Sequence, residues 1–170
     1  VEADLASELR YRNPLVDEHT LLVVVSQSGE TADTIAAMKE CKARGARVLA
    51  IVNVVGSTIA KLADDVVYTW AGPEIAVATT KGYTTQVAVM DMLAVYLARR
   101  LGRLDDAQNK ELVDAILQFP SLIQRSIDLN PNLPALAEKY HSHNDVFFIG
   151  RNLDYAASME GSLKLKEISY

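Results

Sequence analysis

Short β-branched runs alternate with stretches of helical period along the first part of the chain, which predicts strands and helices in turn. Thr20–Val25 reads as a central, buried strand that stops abruptly at Ser26-Gln27-Ser28-Gly29-Glu30-Thr31. Ala32–Arg44 reads as a helix with Ile35, Met38 and Cys41 on its inner face, and Gly45 ends it. Arg47–Asn53 is the next strand, Gly56-Ser57-Thr58 caps a short helix over Ile59–Ala63, and Asp65–Trp70 is a further strand. Val1–Leu5 reads as the remnant of a strand, and Ala6–Tyr11 as the start of a helix or a turn. Strands joined by helices imply a parallel sheet, so the fold class is α/β.

The pattern changes after the loop Ala71–Ile75. From about Ala78 to Arg100 the chain is apolar almost all round, which predicts a buried helix with Val87, Met90, Met92 and Leu93 in its core. Gly102 and Asp105-Asp106 mark a break. Helices follow at Asp106–Gln118, Ser121–Leu129 and Leu133–Tyr140, with Pro131 and Pro134 as interruptions. Val146–Gly150 reads as a new strand, Arg151–Asp154 as a loop and Tyr155–Tyr170 as a helix. The organisation expected is a first α/β unit over residues 1–102, then a helical connector and the opening of a second unit over 103–170.

Composition narrows the function classes. The chain has 170 residues, 49% hydrophobic and 23% charged, which is ordinary for a globular domain. Its net charge of −5, with Lys and Arg dispersed, argues against a nucleic-acid surface. The single cysteine, Cys41, excludes an internal disulfide and a multi-cysteine metal site, and fits a reducing, cytoplasmic setting. His19, His141 and His143 lack the spacing of a metal site, so no metal or cofactor is expected. No apolar run is long enough to span a bilayer, and no signal peptide is visible. The chain does not begin with Met and stops inside a helical pattern, so it reads as part of a longer protein.

The candidate chemistry starts at the Ser26–Thr31 turn. A turn between a strand and a helix offers unpaired N–H groups and the positive end of a helix dipole. Here Ser26, Ser28 and Thr31 add hydroxyls, and Gly29 permits close approach. The combination is an anion cradle suited to phosphate, and in an open parallel sheet ligands sit at this carboxyl edge. The turn has no Lys or Arg, so dipoles and hydroxyls would hold the ligand. Gly56-Ser57-Thr58 and Glu74–Tyr83 fall on the same edge, and each reads either as a helix cap or as a ligand contact. Near the other end, Glu160, Lys164 and Glu167 share a helix face. They form either a solvated ion-pair stripe or a carboxylate base steered by an ammonium.

Four segments, SQSGETADT, VNVVGST, AGPEIAVATTKGYTTQ and EGSLKLKEISY, resemble in that order the isomerase half of the glucosamine-6-phosphate synthase family, the isomerising glutamine–fructose-6-phosphate aminotransferases. The opening ASELRYR is similar to the same family. The resemblance implies sugar-isomerase (SIS) domains, each a flavodoxin-like three-layer α/β/α sandwich with a parallel sheet. It implies that Ser26, Gln27, Ser28 and Thr31 bind the phosphate, that the Val77 backbone contacts the sugar, that Glu167 moves a proton between C1 and C2, and that Lys164 assists at the sugar hydroxyls. The reaction implied converts fructose 6-phosphate and glutamine-derived ammonia to glucosamine 6-phosphate, with a glutaminase domain as partner in the full-length chain and a homodimer as assembly. Val55, Thr79 and Gly82 stand where the family tends to have Pro, Ser and Ala.

Several parts of the family pattern fall outside these residues: the hydroxyl-bearing loop ahead of Val1, and the ring-opening histidine and Schiff-base lysine beyond Tyr170. The piece by itself is therefore expected not to catalyse. The competing readings are a non-catalytic SIS module that binds a sugar phosphate, and a related SIS deglycase or isomerase. A base such as Glu167 beside Lys164 favours an enzyme over a sensor.

Overall fold

The computed structural model describes residues 1–169, Asn130 by its backbone alone. The last position of the predicted helix, Tyr170, lies outside them. The chain divides into two compact units, Val1–Ile75 with Thr79–Met90 and Ala76–Ala78 with Asp91–Tyr170.

The first unit is built on three parallel strands, β1 (Leu21–Ser26), β2 (Arg47–Val52) and β3 (Asp65–Tyr68), in the order β1-β2-β3. Leu21 lies opposite Arg47 and Ser26 opposite Val52, while Leu49–Val52 face Asp65–Tyr68. β2 is therefore the central strand. β1, expected to be central and buried, is paired on one side only among the described residues, and its Leu21 and Val25 are exposed. Its run of apolar residues, Leu21–Val25, does not separate the two positions.

Strand alternation decides the core. Leu22 and Val24 of β1, Val48, Ala50 and Val52 of β2, and Val66 and Tyr68 of β3 all point to one face. They pack there with Ile35 and Met38 of α2 (Ala32–Ala43) and Ile59 and Leu62 of α3 (Thr58–Leu62). Met38, Val48, Ala50, Val52 and Ile59 are fully buried. α2 stops because Gly45 takes φ 101°, with Gly45 N–H donating to Lys42 O and Ala46 N–H to Cys41 O. That is a Schellman ending, which an L side chain would strain.

The amino ends of β2 and β3 are tied to α2 by charge. Lys42 Nζ donates to Leu62 O and to Asp64 Oδ1, both at 2.7 Å, while Asp64 Oδ2 accepts from Val48 N at 2.7 Å. These bonds hold the Asp64 carboxyl below its ordinary pKa, Lys42 first and the Val48 N–H second. Val1–Leu5 forms no strand; α1 (Ala6–Leu9) follows it.

α4 (Lys81–Arg100) gives its first half, through Met90, to the first unit. It was expected to be buried, but only Gly82 and Val89 are, and Val87, Met90 and Met92 are exposed. An apolar surface all round a helix invites burial; it does not supply the covering elements. The second unit is helical: α5 (Asp106–Leu117), α6 (Phe119–Asp128), α7 (Leu133–Tyr140) and α8 (Leu153–Ile168). The Asp105 side chain accepts from Gln108 N and the Gln108 side chain from Asp105 N, a capping box that starts α5. Residues 146–150, expected as a strand, pair with none among the described residues. Their backbone is used differently: Ile149 O accepts from Ser158 Oγ at 2.9 Å, and Phe148 lies against Gly161 of α8. Among the described residues no helix is long and apolar enough to cross a membrane.

Met38→Ala is expected to cost roughly 2–5 kcal/mol, because a fully buried side chain is lost from a close-packed core. Urea unfolding of the two chains checks this; a loss below about 1 kcal/mol would show that α2 does not seal the sheet.

Candidate functional site

The turn between β1 and α2 lies at the carboxyl edge of the sheet, in the first unit. β1 hands over at Ser26, which is buried, and the ladder continues one step further through Asn53 N–H donating to Gln27 O at 3.1 Å. The chain then reverses at Gly29, φ 68°. Gly29 N–H donates to Ser26 Oγ at 3.1 Å, Glu30 N–H to Ser28 Oγ at 3.2 Å, and Ser26 Oγ lies 3.3 Å from Thr31 Oγ1. Thr31 is the N-cap of α2 but its side chain makes no cap bond. Serine and threonine hydroxyls thus gather with two backbone N–H groups at the positive end of a twelve-residue helix. The predicted cradle residues Ser26, Gln27, Ser28 and Thr31 are together on this turn.

The two other loops on this edge brace it. Glu30 reaches across to α3 and accepts from Thr58 N–H at 2.8 Å, and Gly29 O accepts from Ile59 N–H at 3.0 Å. The Thr58 contacts hold the Glu30 carboxyl below its ordinary pKa, helped by the charge of Lys61. A Cβ on Gly29 would lie 2.1 Å from Ser57 Oγ, so the close approach itself requires glycine. A Cβ on Gly82, at the start of α4, would lie 3.2 Å from Gln27 Cγ, so that loop too sits against the turn. Thr79, just before it, has φ 46°.

Asn53 is a brace the sequence reading missed. Its Oδ1 accepts from Ala71 N at 2.8 Å and Thr69 Oγ1 at 3.1 Å, and its Nδ2 donates to Gly72 O at 2.8 Å. One amide thereby fixes a loop in which Trp70 has φ 53°. The signal was an amide directly after the last residue of a strand; its partners lie too far along the chain to be read locally.

In the second unit, Lys164 sits between two carboxylates on α8. Its Nζ donates to Glu167 Oε2 at 2.9 Å and lies 3.3 Å from Glu160 Oε1. It also donates to Ala78 O at 2.6 Å. Glu160 and Lys164 are about one-quarter exposed (24% and 26%) and Glu167 is exposed (37%), so the stripe is an ion-paired group at the surface of α8. The bond to Glu167, and then Glu160, raise the Lys164 pKa against the opposing effect of desolvation, so Lys164 is an ammonium at neutral pH. Val77, one residue before Ala78, is almost fully exposed. Among the described residues no group of three or more His, Cys, Asp or Glu is placed to hold a metal ion. Cys41 is buried on α2, and desolvation raises its pKa, with the Glu40 charge adding to the rise and Arg44 opposing it.

The SIS domain family matches residues 1–96, more than half of the chain. The chain belongs to the SIS domain family. As a SIS chain it is 59% identical over all 170 residues to an isomerising glutamine–fructose-6-phosphate aminotransferase of Symbiobacterium thermophilum, and 54% identical to that of Clostridium tetani. It spans 28% of the length of each. Among solved structures it resembles the C-terminal domain of glucosamine-fructose-6-phosphate aminotransferase from Francisella tularensis, with a TM-score of 0.95 at 34% identity over 99% of this chain and 48% of that one. The α/β class with a parallel sheet is the one the strand–helix alternation predicted, and the SIS fold is the one the resemblance implied.

The lowered Glu30 pKa gives a pH effect of known sign. A carboxyl lowered on folding stabilises the native chain above its ordinary pKa, and that contribution is lost as the pH falls through the lowered value. Proline is tolerated at the first position of a helix, so Thr58→Pro removes the N–H donor while keeping α3. The Glu30 carboxyl, followed by NMR, is expected to titrate below an ordinary glutamate and to move back up in Thr58→Pro. An unshifted midpoint in the parent chain would contradict the brace.

Proposed function

We propose that this SIS chain is the sugar-phosphate isomerase portion of an enzyme that makes glucosamine 6-phosphate from fructose 6-phosphate and glutamine-derived ammonia. The observation that carries the reading is the Ser26–Thr31 turn: hydroxyls and N–H groups on a helix N-terminus recognise a phosphate without a formal positive charge. The activity for which the relatives are named, isomerising glutamine–fructose-6-phosphate aminotransferase, supports the substrate and the amination. Residues 1–102 act as a first SIS domain, and 103–170 as a helical connector and the beginning of a second. A glutaminase domain in the same full-length protein, a homodimeric assembly and a cytoplasmic location belong to the same reading.

Ser26, Gln27, Ser28 and Thr31 hold the phosphate, and the Val77 backbone contacts the sugar. Phosphate gripped far from the reacting carbons supplies binding energy that orients them. Ammonia adds at C2 of the open-chain ketose and water leaves, giving a C=N bond. That bond makes the C1 proton acidic. Glu167 takes the proton from C1 while the nitrogen gains one, giving an enaminol, and returns its proton to C2 on the same face as the C1 hydroxyl gives up its own, leaving a C1 aldehyde and a C2 amine. Lys164, held as an ammonium against Glu167 Oε2, orients the carboxylate and assists at the sugar hydroxyls. A module that only binds the sugar phosphate has no use for this carboxylate–ammonium pair, which favours the enzyme over the sensor.

Two substitutions separate binding from chemistry. Ser28→Ala is expected to weaken fructose 6-phosphate binding roughly tenfold or more, as loss of a hydrogen bond to a charged group does; unchanged affinity in a calorimetric titration would refute the cradle. Glu167→Gln in the full-length enzyme is expected to leave sugar-phosphate affinity intact and to slow glucosamine 6-phosphate formation by roughly a hundredfold or more. An active Glu167→Gln enzyme would exclude Glu167 as the proton carrier.

A further inference from the structure

We propose that Ser57 is a positioning residue for the phosphate-binding turn, acting through the Gly29–Glu30 peptide; the inference rests on the reading of that turn as a phosphate cradle. Ser57 occupies the N-cap of α3, with φ −61° and ψ 163°, the place where a serine ordinarily accepts a hydrogen bond from the first helical turn. Its side chain makes no such bond. The first two amides of α3 are taken by the phosphate turn instead: Thr58 N–H goes to Glu30 Oε1 and Ile59 N–H to Gly29 O. The Ser57 hydroxyl is thereby released from capping.

It is nevertheless buried, with Ser57 only 3% exposed, and Oγ has no hydrogen-bond partner among the described residues. Packing does not need that oxygen, since alanine would fill most of the same space without burying an unpaired polar atom. The direction of the hydroxyl is informative. It lies where the Cβ of residue 29 would be, 2.1 Å from that position, pressed against the backbone of the cradle.

In this structure the turn amides of Gly29 and Glu30 rest on the turn's own hydroxyls, Ser26 Oγ and Ser28 Oγ. A phosphate would draw on the same N–H groups. An N–H that donates to an anion makes its own peptide carbonyl a better acceptor, and a donor on that carbonyl strengthens the N–H in return. The carbonyl of the Glu30 peptide is Gly29 O. It holds one N–H, from Ile59, and a carbonyl oxygen has room for a second donor. Ser57 Oγ–H is a buried donor without a partner among the described residues, pressed against the same glycine. Its bond to Gly29 O, formed when the anion is bound, polarises the Gly29–Glu30 peptide and holds its N–H on the phosphate.

The test is calorimetric binding of inorganic phosphate to the unmodified chain, Ser57→Ala and Ser57→Cys, with thermal midpoints measured in parallel. Ser57→Ala is expected to bind phosphate about tenfold more weakly, one hydrogen bond's worth, without a lower midpoint. Ser57→Cys refills the volume with a weak donor and is expected to be as impaired as the alanine chain. Affinity within twofold of the unmodified chain in Ser57→Ala overturns the proposal, and so does recovery of affinity in Ser57→Cys, which would assign the effect to volume. If Ser57→Ala does not fold, the cysteine chain decides by the same criterion. Absence of phosphate binding by the unmodified chain overturns the cradle reading itself and this inference with it.

Discussion

The parallel pairing of β1 with β2 is the constraint on which the carboxyl edge of the sheet depends. With Ser26 opposite Val52, and Asn53 N–H continuing the ladder to Gln27 O, both chains leave the sheet at the same level. Slipping the register by one residue would move Ser26 to the other face and separate Gly29 from Ser57. Because the register holds, the turn after β1 and the loop after β2 meet as close neighbours. Gly29 and Glu30 then cap α3, and Ser57 is pressed against Gly29. The site is therefore a property of the sheet as much as of the turn that carries the hydroxyls.

The two ends of the strands do different work. At the amino ends, Lys42, Asp64, Arg47 and Asp65 form ion pairs that hold α2, β2 and β3 together. At the carboxyl ends the formal charges are few and the polar groups are hydroxyls, amides and backbone. Charge at that edge would bind phosphate tightly at all times, whereas dipoles and hydroxyls allow release. In the second unit the reverse holds: Lys164 concentrates charge between Glu160 and Glu167, the arrangement a proton-moving carboxylate needs. On the proposed reading, binding by dipoles and chemistry by charge are carried by different parts of the chain.

The fold and most of the candidate site were legible in the sequence wherever the signal was local. The hydroxyls of the Ser26–Thr31 turn, the glycine that reverses it and the Gly45 helix stop depend on neighbours within a few residues, and all were read from them. What failed depended on distant partners. Val146–Gly150 has a strand's composition, yet a strand exists only with a ladder partner, and here Ser158 and Gly161 occupy the segment instead. The apolar surface of α4 was read as burial, though composition alone does not say what covers it. Ser57 reads locally as either a helix cap or a ligand contact, and its lack of a cap bond is not legible there because the carboxylate that displaces it, Glu30, comes from a different loop. Asn53 went unnoticed for the same reason.

The central claim is that the turn between β1 and α2 receives the phosphate of a sugar phosphate through its backbone N–H groups. Amide chemical-shift mapping of the chain during titration with fructose 6-phosphate tests it directly. The account predicts that the largest and saturable shifts fall on Ser28, Gly29, Glu30 and Thr31, with the Val48 amide, held by Asp64 at the opposite end of the strand, unmoved. Saturable shifts confined to other segments, with these four amides unchanged, would contradict it.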